Sequence, residues 1–215
     1  MSKYSKTYHL SWSPGVTSDD KISNNLYNFL GKEIVITEKL DGENTGMIND
    51  GVYARSHGTY TTSAWSREVR QLHDIKVRGQ LEDGVFIFGE NMEGIHSIEY
   101  SNLKSYFYIF GVRDNNIWIP WEGVEEYSYL LDIPTVPVLF KGVVNTEKEL
   151  KDLVERLVKE KSELGGEREG VVVRSASLFH NDDFTDNLLK WVRKDHVQTT
   201  THWTRDWKKS KINPV

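Results

Sequence analysis

Eight short stretches of this chain read as β-strands, and they constrain its fold more than any other feature. They fall at 33–37, 52–55, 85–90, 106–112, 117–119, 136–140, 170–174 and 188–192, each an apolar or β-branched run bounded by turn residues. Most neighbours are joined by short connections, which favours antiparallel pairing over long crossovers. Helical periodicity is rarer. Residues 18–30 predict a first helix, with Ser18 and Asp19 as caps and Ile22, Leu26, Phe29 and Leu30 on one face. Residues 62–76 predict a second, through Trp65, Val69 and Leu72. Residues 147–163 predict a third: Thr146 and Glu149 form a capping box, Leu150, Leu153, Val154, Leu157 and Val158 make the stripe, and Gly165-Gly166 stops it. The expected class is α+β, with largely antiparallel sheets flanked by helices.

A chain of 215 residues suits one domain with a substantial core. It has no cysteine, which removes disulfide frameworks and thiolate metal sites. The seven histidines show no ligand spacing. No apolar run approaches the length of a membrane span, and Met1-Ser2-Lys3-Tyr4 does not open a signal peptide, so a cytoplasmic protein is expected, with no membrane contact and no evident protein partner. The net charge of −5 argues against a coat for nucleic acid, but its distribution is uneven. Residues 190–215 carry seven basic groups against two acids, a net +5 that leaves −10 on residues 1–189. That basic tail also holds Trp203 and Trp207. It suits phosphate contact and base stacking, and it equally suits a solvated tail tucked down by its tryptophans.

The most chemically suggestive segment is Glu38-Lys39-Leu40-Asp41-Gly42-Glu43-Asn44, directly after the strand Ile34-Val35-Ile36-Thr37. Asp-Gly signals a tight turn, and Gly42 lets the backbone approach a ligand. A lysine at the mouth of such a strand can meet a phosphate while nearby amides hold a nucleotide. Taken alone, Lys-x-Asp-Gly also describes an ordinary surface lysine beside a β-turn.

Further signals follow in order: Arg55, Phe88-Gly89-Glu90, Tyr108-Ile109-Phe110-Gly111-Val112, Glu169-Gly170-Val171-Val172-Val173, and Leu189-Lys190-Trp191-Val192. The series resembles the motifs of the covalent nucleotidyltransferases, which include ATP-dependent DNA ligases, RNA ligases and mRNA capping enzymes. It is most similar to the RNA ligase family, over about residues 33–195. The resemblance implies an adenylyltransferase fold of two sheets flanked by helices, with a nucleotide in the cleft between them.

It also implies roles. Lys39 matches the nucleophile that takes AMP from ATP, with Glu38 beside it in the nucleotide site. Free lysine has a pKa near 10.4, so the attacking amine needs help from cations or a metal. Glu169 matches the metal-linked carboxylate, suited to Mg2+ or Mn2+ as a hard oxygen donor. Glu90 matches the contact to the ribose hydroxyl and Phe110 the ring that stacks on adenine, with Tyr108 expected on the same face. Arg55 matches an arginine that orients the nucleotide or the RNA end, and Asn44 a residue that holds that end. Lys190 matches the first lysine of a Lys-x-Lys motif. Val192 stands where many relatives have the second, so Arg193 or Lys194 is the expected substitute.

Two segments lie outside these roles. His9-Leu10-Ser11-Trp12-Ser13-Pro14-Gly15 resembles the start of a bacterial and phage subset of the family, and either lines the cleft or caps the core. His96-Ser97-Ile98-Glu99-Tyr100 is placed to reach RNA. Only 25 residues follow Lys190, too few for the OB-fold barrel of DNA ligases and capping enzymes. The expectation is therefore a single adenylyltransferase domain over 1–215, ending in the basic tail at about 193–215. Its expected activity is ATP-dependent joining of RNA 5′-phosphate and 3′-hydroxyl ends through lysyl-AMP, in RNA repair. The alternatives are a small DNA ligase or other adenylyltransferase, and an inactive module that binds RNA ends.

Overall fold

In a computed structural model of the protein, residues 4–54, 59–194 and 203–213 are described. Two six-stranded sheets face each other. The first is built from β1 (Tyr8–Leu10), β2 (Ile22–Ser23), β3 (Glu33–Lys39), β9 (Val138–Val143), β10 (Gly170–Ser175) and β12 (Leu188–Val192), in the order β2-β1-β12-β10-β3-β9. The second is built from β4 (Glu43–Ile48), β5 (Gly51–Ala54), β6 (Val85–Asn91), β7 (Phe107–Asp114), β8 (Ile117–Trp118) and β11 (Phe179–His180), in the order β11-β8-β7-β6-β4-β5. Pairing is antiparallel throughout, except that β1 runs parallel to both β2 and β12. The α-helices are α1 (Arg67–Lys76), α2 (Trp121–Leu131), α3 (Glu147–Leu157) and the single turn α4 (Phe184–Asn187). This is the expected α+β fold of two largely antiparallel sheets flanked by helices. Among the described residues, no helix is long and apolar enough to cross a membrane.

Strand alternation decides which side chains meet the cleft. In β3, Ile34 and Ile36 join Val171 and Val173 of β10, Leu189 of β12 and the apolar stripe of α3 in one core cluster. The intervening residues Thr37 and Lys39, with Val172, Arg174, Leu188 and Lys190, turn the other way and line the space between the sheets. The largest core, with Val35, Met47, Ile87, Ile109 and Trp121, lies apart from the cluster that includes α3. A third and smaller core, centred on Phe88, Trp118, Phe179, Phe184 and Leu188, joins the two sheets, with Tyr4 and Phe110 packed against it.

α3 begins where the capping box predicts. The Glu149 N–H donates to Thr146 Oγ1 at 3.2 Å, and the Asn145 N–H donates to Glu149 Oε2 at 2.8 Å. Thr146→Ala is expected to cost about 1 kcal/mol, read as a lower urea midpoint at unchanged slope. The helix ends at Leu157 rather than 163. There Arg168 is buried and donates to the Leu157 carbonyl and to the Lys161 carbonyl (2.9 Å), which draws the chain out of the helical path.

The helix predicted over 18–30 does not form. That stretch holds β2 and turns, because Ser and Asn side chains satisfy the local backbone instead. The Asn25 N–H donates to Ser23 Oγ and the Tyr27 N–H to Asn25 Oδ1, both at 3.1 Å, in competition with helical bonds. Leu26 and Phe29 are buried as the pattern implied, while Ile22 is exposed. The helix over 62–76 forms as a short 3₁₀ turn at Ala64–Ser66 followed by α1. β1, β2, β4, β11, α2 and α4 are additions that the strand and helix signals above did not include.

Candidate active site

The sheets enclose a cleft of about 760 Å³. Lys39 sits at its mouth as the last residue of β3, with its side chain 27 % exposed. Pairing of Lys39 with Gly170 on β10 brings the preceding Glu169 alongside, and Lys39 Nζ donates to Glu169 Oε2 at 2.6 Å. Burial disfavours the Lys39 ammonium, but the carboxylates of Glu169 and Glu90 outweigh it and hold its pKa above the ordinary lysine value.

The turn after Lys39 is held from two sides. Asp41 Oδ2 accepts the N–H groups of Ser97 (2.7 Å) and Ile98 (2.8 Å), and the Asp41 N–H donates to the Tyr100 hydroxyl at 2.9 Å. The segment 96–100 therefore braces the turn after Lys39. Glycine is needed at 42 because a Cβ there would lie 2.5 Å from the Asn91 carbonyl oxygen. The Gly42 N–H donates to Glu90 Oε1 at 3.2 Å. Burial pushes the Glu90 carboxyl up to about 8 against the pull of Lys39. Glu90 is thus largely protonated at neutral pH, and can both donate and accept a hydrogen bond.

Asn44 pairs with Glu90 across β4 and β6 and also lines the cleft. Its Oδ1 is buried with no hydrogen-bond partner among the described residues, a cost that a ligand donor would remove. Phe110 lies at a break in register, where Phe88 faces Gly111 and Gly89 faces Ile109. As the extra residue of this bulge it reaches the cleft wall. Tyr108 does not line the cleft with it. Tyr108 is buried, and its hydroxyl accepts the N–H groups of Lys104 (2.8 Å) and Ser105 (3.3 Å).

Glu38 borders the cleft, yet its carboxylate points away. It faces Arg168 (3.5 Å) with no exposed side-chain surface and accepts the Glu163 N–H at 3.3 Å. What Glu38 can offer a ligand is backbone. Lys190 stands on the same wall as Lys39, 3.4 Å from Asp20. Burial lowers its pKa, with Asp20 opposing the shift. Val192 is buried, Arg193 pairs with Glu167, and neither Arg193 nor Lys194 lines the cleft. Arg55 lies outside the described residues.

Several lining residues were not foreseen. Arg174 is buried at the back, Lys6 and Asp20 come from the N-terminal segment, and Trp65 stands at the rim beside Trp203, the tail tryptophan that the sequence offers for base stacking. Trp203 stacks on His96 with ring centroids 3.8 Å apart. The tail over 203–213 is docked rather than free: the Ile95 N–H donates to the Lys208 carbonyl and the Ser210 N–H to the Glu93 carbonyl, both at 2.8 Å. Lys209 is engaged with Glu68 at 2.7 Å.

Among the described residues lining the cleft, carboxylates and cations nearly balance, so a polyphosphate gains little net attraction from the lining itself. No group of three or more His, Cys, Asp or Glu that could hold a metal unaided occurs among the described residues. A hard cation here needs oxygen donors from a bound ligand in addition to Glu169, which is how magnesium is commonly held.

A family model described as RNA ligase matches residues 32–192, well over half of the chain. No curated protein matches it in sequence. Among solved structures, the Naegleria gruberi RNA ligase with PPi aligns with a TM-score of 0.60 at 19 % identity, covering 90 % of this chain and 56 % of that one. A glutamate-to-alanine variant of that ligase with ATP and Mn gives a TM-score of 0.60 at 18 % identity, covering 92 % and 58 %. A lysine-to-methionine variant with AMP and Mn gives 0.57 at 17 %, covering 90 % and 56 %. The chain thus spans a little over half the length of these enzymes, and it shares with them the nucleotidyltransferase fold. By the extent of the family match and by its fold, the chain belongs to the RNA ligase family.

Proposed function

We propose that the chain is an ATP-dependent RNA ligase that works through a lysyl-AMP intermediate on Lys39. The observation that carries this reading is the contact between Lys39 and Glu169 at the mouth of the cleft, with Lys190 on the same wall. The ATP-bound and AMP-bound neighbours support the choice of nucleotide.

In the first step Lys39 Nζ attacks the α-phosphorus. The N–P bond forms, the bond to the bridging oxygen breaks, and pyrophosphate leaves. The ammonium proton must go first, and Glu169 Oε2, already its acceptor, is the nearest base. Lys190 neutralises charge on the α-phosphate. Phe110 offers its ring to adenine, and Glu90 its carboxyl to a ribose hydroxyl. In the second step a 5′-phosphate oxygen of RNA attacks the same phosphorus and Lys39 leaves as the amine. In the third, a 3′-hydroxyl attacks the 5′-phosphorus and AMP departs. The donor set fits a divalent cation held by Glu169 and phosphate oxygens, which would neutralise phosphate charge and weaken the hold of the carboxylate on the amine.

The test is adenylylation of the protein by ATP, followed by sealing of matched RNA and DNA nicks. RNA joining above DNA joining is expected, since 2′-hydroxyl contacts distinguish the two. Equal sealing of DNA would point to a DNA ligase, and failure to take up AMP would refute the reading.

The same ion pair sets a pH dependence. Because the Lys39 pKa is raised, the ammonium dominates at neutral pH, and single-turnover adenylylation should climb as pH rises. Glu169→Gln removes the carboxylate that holds the proton, so the Lys39 pKa falls and the profile moves to lower pH. Its plateau should also drop roughly 100-fold, for loss of the base. A variant profile superimposing on the wild type would show that Glu169 has no part in the proton transfer.

A further inference from the structure

The place of the second lysine in the last motif is filled by Val192, which is level with Gly170 and, through it, with Lys39. Val192 is buried beneath the N-terminal turn. Its N–H donates to Ser13 Oγ at 2.9 Å, and its carbonyl accepts the Gly15 N–H at 2.9 Å. A Cβ on Gly15 would lie 2.5 Å from the Arg193 carbonyl oxygen, so the turn rests directly on the strand end. An apolar residue suits that covered position, and a lysine there would have to bury its charge.

The segment that covers Val192 also brings a cation. Lys6 lines the cleft with its side chain 38 % exposed, and its Nζ lies 3.9 Å from Asp20 Oδ1. Lys190 Nζ lies 3.4 Å from that same oxygen. Asp20 is fixed on its other side, where Oδ2 accepts the Thr17 N–H (3.1 Å) and Oγ1–H (2.8 Å) and faces His9 Nε2 at 3.3 Å. His9 is buried, with Nδ1 2.8 Å from Ser13 Oγ, so turn, histidine and aspartate form one rigid support. Without a ligand, Lys6 rests against the Asp19 carbonyl and carboxylate. Two ammonium groups converging on one oxygen at a cleft wall are arranged as a phosphate oxygen would require.

We propose that Lys6 is the second phosphate-binding cation of this cleft, acting beside Lys190 in place of the lysine absent at position 192. Asp20 is a positioning residue that holds both ammonium groups at the wall until a phosphate arrives. The inference rests on the reading of the cleft as an ATP site. It differs from the expectation from sequence, in which Arg193 or Lys194 would do this work.

The test compares binding of ATP, supplied as its α,β-methylene analogue so that Lys39 cannot be adenylylated, with binding of adenosine by the full chain in the presence of Mg2+, for the wild type, Lys6→Ala and Lys6→Arg. Lys6→Ala should weaken ATP binding about ten-fold, the loss of one charge-assisted contact, and leave adenosine binding unchanged. Lys6→Arg should recover most of the ATP affinity, because it restores the charge. Wild-type ATP affinity in Lys6→Ala would overturn the proposal. So would equal weakening of ATP and adenosine, which would mean that Lys6 only supports the fold. Adenylylation of the wild type is measured alongside. Its absence would defeat the functional reading itself, whereas a failure confined to the Lys6 variants would count against this inference alone.

Discussion

Lys39→Ala is expected to take up no AMP from ATP, and Lys39→Arg is expected to be equally inert. The two substitutions separate charge from nucleophilicity. Arginine keeps a cation against Glu169 and Glu90, but its guanidinium does not deprotonate in proteins and cannot attack phosphorus. Alanine removes both properties and takes away the cation that opposes the shift at Glu90, while Glu169 still raises it, so the Glu90 carboxyl should move still further above its value of about 8. Neither change removes apolar core, since Lys39 is partly exposed at the end of its strand. The fold should therefore survive, as circular dichroism and thermal unfolding would show. Both variants should still seal RNA whose 5′ end is already adenylylated, because that step no longer needs the lysine as nucleophile. Mass spectrometry that found AMP on either variant would assign the nucleophile elsewhere.

The second large effect is expected on stability. Arg174 is a buried strut between the sheets. It stands on β10, yet its Nη1 donates to the Phe110 carbonyl on β7 at 3.3 Å and its Nη2 to the Ile119 carbonyl after β8 at 3.0 Å. Its guanidinium carbon also lies 5.3 Å from the Trp121 ring centroid and 5.8 Å from that of Phe179. Burial lowers its pKa to about 10, so it remains charged at neutral pH. Arg174→Ala would leave those carbonyls without this donor and open a void between aromatic rings. The expected cost is roughly 3–5 kcal/mol in urea unfolding. Arg174→Lys should recover little, because one ammonium cannot reproduce the planar fork. The Phe110 bulge is tied to this guanidinium, so nucleotide binding should weaken as well. A variant within about 1 kcal/mol of the wild type would show that the strut carries little weight.

Much of the site was readable because its signals are local. The apolar run before Lys39 ends in an Asp-Gly turn, and that turn is where the strand stops. Thr146 and Glu149 lie three residues apart, and their capping bonds need nothing from elsewhere in the chain. α2 was equally local, since Trp121, Val124 and Leu131 share a buried face after Pro120, although the strand-rich surroundings masked it. The stretch 18–30 shows where periodicity misleads: Leu26 and Phe29 are buried at helical spacing, but Ser23 and Asn25 take the backbone bonds that a helix would have used.

Lys39, Glu90, Glu169 and Lys190 were identified from the sequence by their order along the chain, and the fold brings them to one cleft or its edge. What the order did not contain is what surrounds them. Lys6 reaches the cleft only because β1 pairs in parallel with β12, placing His9 opposite Lys190 and its neighbours beside the site. Arg174 becomes a strut only once the second sheet lies across it, and Phe110 turns toward the cleft through a register break between β6 and β7. Turns, caps and strand faces are set by residues a few positions apart, so the sequence alone determined them. The approach of Lys6 to Lys190, the Arg174 strut and the backing of the turn after Lys39 depend on contacts between distant segments, and only tertiary packing decided those.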